Sequence, residues 1–266
     1  LLLKTGEKKH LKKFIDKYLF DIYNNHYRRV LSQLDMKDEK LSKIMDEIRN
    51  FLKYFDVTEQ CLDDISEVII ELIGNVCEHT DSECLVDIDV TTPYYKKDEK
   101  GLFYGINLTV LNFSEMLFCE QIKKRILSPT KEMKERYQKV KEAYGFHSKY
   151  FGKEYQEEDF FNIAAFQHKI SGNEEKCITG GTGLTKLIYS LENRSDTHNC
   201  YLISGKRALF FNHELLEYNE NNWIGFNQEK DFLFHLPEKG VVVPDKIYMP
   251  GVAYNLNFAM KERANI

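Results

Sequence analysis

Several absences narrow the class of this chain before any motif is considered. No apolar run approaches the roughly 20 residues that a bilayer-spanning helix needs, and the opening Leu1-Leu2-Leu3 gives way at once to Lys4 and Lys8-Lys9. No membrane anchor is expected. The six cysteines (Cys61, Cys77, Cys84, Cys119, Cys177 and Cys200) include no CxxC pair and no cluster with histidine at zinc-ligand spacing. A reduced, cytoplasmic chain is the simplest reading. Basic excess is missing too: 37 Lys and Arg against 42 Asp and Glu give a net charge of -5 and a pI near 6.0, so nucleic acid is not indicated as a partner. Internal repeats and low-complexity tracts are absent, and the first residue is Leu rather than Met, which leaves room for a segment upstream. What is present is 266 residues, 42% of them hydrophobic, enough for one large domain or one domain with a substantial extension.

Apolar residues at a 3.6-residue period (Leu11, Phe14, Ile15, Tyr18, Leu19, Ile22, Tyr23, Tyr27, Val30, Leu31 and Leu34) predict an amphipathic helix from Leu11 to Leu34. After the polar break Asp35 to Glu39, the pattern resumes through Leu41, Ile44, Met45, Ile48, Phe51, Leu52 and Phe55, so residues 1–56 are expected as an N-terminal helical hairpin. Thr58 suits the N-cap of a third helix that turns Leu62, Ile65, Val68, Ile69, Leu72, Ile73 and Val76 inward. Cys84 to Val90 and Leu102 to Leu111 read as two strands of a hairpin across the turn-rich Lys96 to Gly101. A polar, partly helical stretch from Phe118 to Cys177 interrupts the strand order. Beyond it come Gly180-Gly181-Thr182-Gly183, a short helix through Leu184, Leu187, Ile188 and Leu191, a hairpin around Gly205-Lys206, and a last strand Ala253 to Met260.

Two segments carry chemistry. Glu71 and Asn75 lie four apart in the third helix and so share a face, where a carboxylate can deprotonate a water and an amide oxygen can ligate Mg²⁺. An isolated pair of this kind is more often a solvated helix face. Thr179-Gly180-Gly181-Thr182-Gly183-Leu184 precedes a helix, so its backbone can approach a phosphate closely and meet it with unpaired N–H groups and the positive end of the helix dipole. A tight turn would use the same glycines.

Taken together, Glu71-Leu72-Ile73-Gly74-Asn75-Val76-Cys77-Glu78-His79-Thr80 resembles the N box of the GHKL superfamily (gyrase, the ninety-kilodalton chaperone, histidine kinases and the mismatch-repair ATPases), and Gly180-Gly181-Thr182-Gly183-Leu184 resembles its second glycine box. The resemblance covers Thr58 to Met260. It implies an α+β fold, a two-layer α/β sandwich of the Bergerat type with a mixed sheet, in which residues 57–266 form an ATP-binding domain with a long lid insertion at about 117–178. It implies Glu71 as general base, Asn75 as the Mg²⁺ ligand, and ATP and Mg²⁺ as cofactors, with His79 and the loop Gly180, Gly181, Thr182, Gly183 and Leu184 against the nucleotide. The family's D-x-G-x-G corresponds to Asn112-Phe113-Ser114-Glu115-Met116, so Asn112 stands where Asp would accept from adenine and Ser114 where a glycine would lie. The Asn112 amide still offers an acceptor oxygen, but its NH₂ needs another partner. Thr185 and Val252 depart from the family's pattern as well.

The functions implied are a Mg-dependent ATPase acting as a nucleotide-driven conformational switch, a protein kinase related to sensor histidine kinases with His26 as acceptor, or a nucleotide-gated interaction module without chemistry. A solvent-exposed helix histidine is the simpler reading of His26, whose neighbours lack the acid that follows a phosphoacceptor. A protein partner or a homodimer is expected through the N-terminal helices or the lid, whose first half carries Lys123, Lys124, Arg125, Lys131, Lys134, Arg136, Lys139 and Lys141. Lys169 and Ser171 lie just before the glycine loop, within reach of phosphates, and Trp223 reads as a packing residue in a loop.

Overall fold

The computed structural model describes residues 25–35, 38–79, 82–97, 99–128, 134–171, 183–195 and 200–263, with the backbone alone for Asp38, Glu39, Cys77, Glu78, His79 and Gly183. Among these residues the order is β1 (His26–Leu31), α1 (Asp38–Lys53), α2 (Glu59–His79), β2 (Cys84–Val90), β3 (Tyr94–Tyr95), β4 (Leu102–Asn112), α3 (Glu120–Leu127), α4 (Glu135–His147), α5 (Glu157–Ala164), α6 (Gly183–Arg194), β5 (Tyr201–Phe210) and β6 (Val242–Lys261). The fold is α+β. No described helix is long and apolar enough to cross a membrane.

The strands form one sheet in the order β1-β2-β4-β6-β5, with β3 added on β4. Apart from an isolated bridge between Lys239 and Val242, every pairing is antiparallel. The mixed sheet expected from the resemblance is therefore corrected to an antiparallel one. Along β2, Cys84, Val86, Ile88 and Val90 are buried while Asp87 is half-buried and Asp89 exposed, the alternation of a strand covered on one face. Helices supply that cover. Thr58 Oγ1 accepts from the Cys61 amide at 3.4 Å and opens α2, whose Leu62, Ile65, Val68, Ile69, Leu72, Ile73 and Val76 are buried, as their spacing predicts.

Three expectations need correction or limits. The first predicted helix does not extend to Leu34: its Leu11 to Tyr23 part lies outside the described residues, and its end is strand β1, paired from His26 opposite Asp89 to Leu31 opposite Cys84. Tyr27, Val30, Leu31 and Leu34 fit a helical period, but β1 turns Tyr27, Arg29 and Leu31 to one side. Tyr27 packs there against Phe51 of α1, and Arg29 pairs with Glu47 of the same helix. A charged residue on the inner side hides the period of two that would have marked a strand. Of the expected helical hairpin, the described residues contain α1. The hairpin around Gly205-Lys206 is likewise not found, because both residues lie inside β5. Gly205 has φ +61 and sits at a register shift, so this glycine makes a bulge rather than a turn.

The described part of the stretch expected as a lid is packed into the core. Ile122, Ile126, Tyr137, Val140, Ala143, Phe160, Phe161, Ile163 and Phe166 belong to the same buried cluster as the sheet and α2. Phe118 lies against both Phe166 and Tyr254, tying the start of the insertion to β6. Asp159 of α5 receives Arg207 of β5 in a bidentate pair, Nε to Oδ1 at 2.7 Å and Nη2 to Oδ2 at 2.5 Å, with both side chains 1% exposed. Basic residues of the insertion are used structurally. Lys123 pairs with Glu157, Arg125 covers the Tyr137 ring, and Arg136 lies 3.7 Å over the ring of the buried Trp223.

Candidate functional site

The helical pair Glu71 and Asn75 occupies the half-exposed side of α2, opposite the apolar stripe that fixes the helix in the core. Helix α6 runs beside it. Lys186 Nζ stands 2.9 Å from Glu67 Oε2, one turn before Glu71, and Arg194 holds Asp64 further along. Glu67, with Glu71 adding to the field, raises the Lys186 ammonium above its ordinary value. Because α6 begins at Gly183, its N-terminal N–H groups lie in the turn immediately before Lys186. An anion seated there would meet both a helix dipole and an ammonium.

Asn75 is half-buried, and its Nδ2 is enclosed without a hydrogen-bond partner. A buried amide end normally has one, since leaving it unmade costs about 1–3 kcal/mol. The two ends of an amide exchange by a simple flip, so an enclosed, unsatisfied amide at this position fits either a ligand's acceptor or, turned over, a metal ion. His79 closes α2; its backbone is helical and its side chain lies outside the described atoms.

At the other side of the site, Asn112 ends β4 fully buried. Its NH₂ donates to Ser82 Oγ and, at 3.1 Å, to the Glu83 carbonyl, so the partner that the sequence required is supplied by the segment that follows α2. The C-terminal ends of α2 and β4 are thereby held together. Asn112 pairs in register with Val252 of β6, far from it in sequence, so two of the positions that depart from the family's pattern are neighbours on the sheet. Ser114 donates to the Met116 carbonyl at 2.7 Å and shapes the turn out of β4. Gly251, at φ +87, permits this contact, because a Cβ there would lie 2.4 Å from the Asn112 carbonyl oxygen and 2.7 Å from the Ser114 nitrogen.

Leu184 and the buried Thr185 follow Gly183 on α6, whereas Gly180, Gly181 and Thr182 lie outside the described residues. Ser171 and Lys169 precede the glycine loop in sequence. The Tyr137 hydroxyl engages the Ser171 backbone at both its N–H and its carbonyl, and Lys169 is exposed at a left-handed φ of +58. His26 is not an exposed helix residue. It sits half-buried on β1 with Nε2 2.6 Å from Asp87 Oδ1, because strand pairing rather than helical packing sets its surroundings. Ser82, Lys186 and Gly251 escaped sequence reasoning. Only the Pro250-Gly251 pair carried a local signal, and it reads equally as an ordinary turn. Cys84 and Cys119 are free thiols whose burial pushes them up to about 12, which removes both as nucleophiles at neutral pH. No family model, curated protein or solved structure matches this chain.

Proposed function

We propose that this chain is an ATP-binding protein of the Bergerat type, a Mg-dependent ATPase that works as a nucleotide-driven conformational switch. The enclosed, unsatisfied amide of Asn75, one turn along α2 from Glu71, whose charge acts on Lys186 of α6, carries the proposal. It is the kind of side chain that Mg-ATP would complete. Asn75 would hold the metal against the phosphates, Glu71 would take a proton from the attacking water, and the start of α6 would receive phosphate oxygens. The resemblance would put the adenine end at Asn112, which lies buried at the end of β4. The kinase alternative relied on His26 in a helix, and His26 lies on strand β1 beside Asp87.

The test is ATP affinity with and without Mg²⁺, alongside phosphate release, for the parent, Glu71→Ala and Asn75→Ala. Glu71→Ala should bind ATP as the parent does and lose roughly 10²- to 10⁴-fold in hydrolysis, the contribution of a general base. Asn75→Ala should lose the Mg²⁺-dependent part of binding. A parent that ATP neither binds to nor stabilises against heat would sink the proposal. A parent that binds ATP but never releases phosphate would make it a nucleotide-gated interaction module.

A further inference from the structure

The sheet face turned away from the helices carries a second cluster, outside everything assigned above. His26 on β1 lies directly opposite Asp89 on β2, and Asp87 is two residues back on the same face. The imidazole stands between the two acids, Nε2 2.6 Å from Asp87 Oδ1 and Nδ1 4.0 Å from Asp89 Oδ1. One donor atom from each residue falls within 4.8 Å of the others. Arg28 takes the remaining oxygen of Asp87, donating from Nε to Oδ2 at 2.5 Å, and so fixes that carboxylate from behind while leaving Oδ1 turned toward His26.

We propose that His26, Asp87 and Asp89 form a binding site for a divalent transition cation of the zinc type, with Arg28 orienting the Asp87 carboxylate. Two carboxylates against one guanidinium leave the cluster net negative, and a dication relieves the repulsion between acids two residues apart on one strand face. An imidazole with two carboxylate oxygens suits zinc and its neighbours better than Mg²⁺ or Ca²⁺, which take oxygen alone. The fit is close. Ligand distances of about 2.0–2.2 Å around a tetrahedral ion put donor atoms roughly 3.5 Å apart, so the His26–Asp87 contact of 2.6 Å has to open by roughly 1 Å while Asp89 closes in from separations of up to 4.8 Å. Asp89, exposed and free to change rotamer, can supply that movement. Arg28 plays the part that outer partners play at metal sites, holding a ligand in its binding orientation. Because the ligands come from both β1 and β2, an occupied site fastens the edge strand to the sheet.

The probe is Co²⁺, which replaces zinc in nitrogen–oxygen sites and broadens the NMR signals of nearby nuclei. In the full chain, substoichiometric Co²⁺ should broaden the His26 imidazole signals before those of the other histidines and should slow amide exchange along β1. Asp89→Asn and His26→Gln should each weaken Co²⁺ binding roughly tenfold or more, the order of effect seen when a metal site loses a supporting group. Asp89 is exposed, so its variant keeps the test intact even if His26→Gln perturbs β1. Retention of parental affinity in Asp89→Asn, or broadening centred on another histidine or on a cysteine, would overturn the assignment.

Discussion

The same chemistry, an arginine or lysine against a carboxylate, ties down two regions of this protein in different ways. Arg207 and Asp159 bind the insertion to β5 with both side chains 1% exposed, whereas Lys186 and Glu67 join α6 to α2 at 45% and 50% exposure. Buried, such a pair cannot be opened cheaply, because either charge left alone in the interior keeps its desolvation cost. Exposed, it exchanges for water at little cost. The difference locates motion. If the chain is the switch proposed above, rearrangement on nucleotide binding would belong at the α2–α6 contact. The described part of the insertion is packed into the core and tied to β5.

Breaking the buried side of this comparison should have the largest effect. Asp159→Ala leaves Arg207 enclosed and without its partner, and should cost about 3–5 kcal/mol of folding stability, measured by urea denaturation. Asp159→Leu combined with Arg207→Met removes both charges and should recover most of that loss, since apolar replacement of a buried pair is often neutral. A single variant within about 1 kcal/mol of the parent would mean that the insertion is not held as described.

A smaller effect should appear with pH, and again in the insertion. His147 Nε2 donates to the Phe232 carbonyl at 2.9 Å, and in the neutral ring Nδ1 then accepts from the Tyr155 hydroxyl, 2.8 Å away. Burial is the main cause that pulls its pKa below the ordinary value, against the opposing Phe232 hydrogen bond and the Asp231 charge. Folded His147 therefore binds a proton less readily than the unfolded chain does. Its contribution is fully present above about pH 6.5 and is lost as pH falls from there toward the depressed folded value, at no more than about 1.4 kcal/mol per pH unit. Urea melts of the parent and of His147→Gln between pH 7.5 and 5 check this, at about three values. Parallel slopes would exclude His147 as the source.

How far these features could be read in advance follows from where their signals lie. Helix α2 was legible because its apolar positions repeat locally at 3.6 residues and Thr58 caps it. Strands β2 and β4 were legible because β-branched residues recur in short runs between turn residues. Strand β1 was not, since Arg29 occupies an inner position that only Glu47 of α1 makes tolerable. At the site, Glu71, Asn75 and Asn112 were named from motifs, and the structure adds surroundings that no spacing encodes: Ser82 for the Asn112 amide, Lys186 beside Glu67, Gly251 against the turn after β4. The packing of the described part of the insertion was not legible for a related reason. Its lysines and arginines suggested a charged surface, while Glu157 for Lys123, Trp223 for Arg136 and Arg207 for Asp159 each lie tens of residues from the group they meet.

The smallest expected effect tests the exposed side of the comparison. Lys186→Ala removes an ammonium that Glu67 and Glu71 hold above its ordinary value, yet both members of the Lys186–Glu67 pair stand about half in water. Solvent screens their attraction, and ordering two long side chains offsets much of what is left, so the substitution should change folding stability by less than about 1 kcal/mol. Its consequence for a nucleotide should be larger than that figure suggests, because a phosphate seated at the start of α6 would meet this ammonium before Glu67 does. Urea melts with and without Mg-ATP separate the two effects. A small loss without nucleotide, together with a reduced gain on adding Mg-ATP, is the expected result. A loss near 3 kcal/mol without nucleotide, as large as for a broken buried pair, would show that α2 and α6 are locked as firmly as the insertion, and the assignment of motion to their contact would fall.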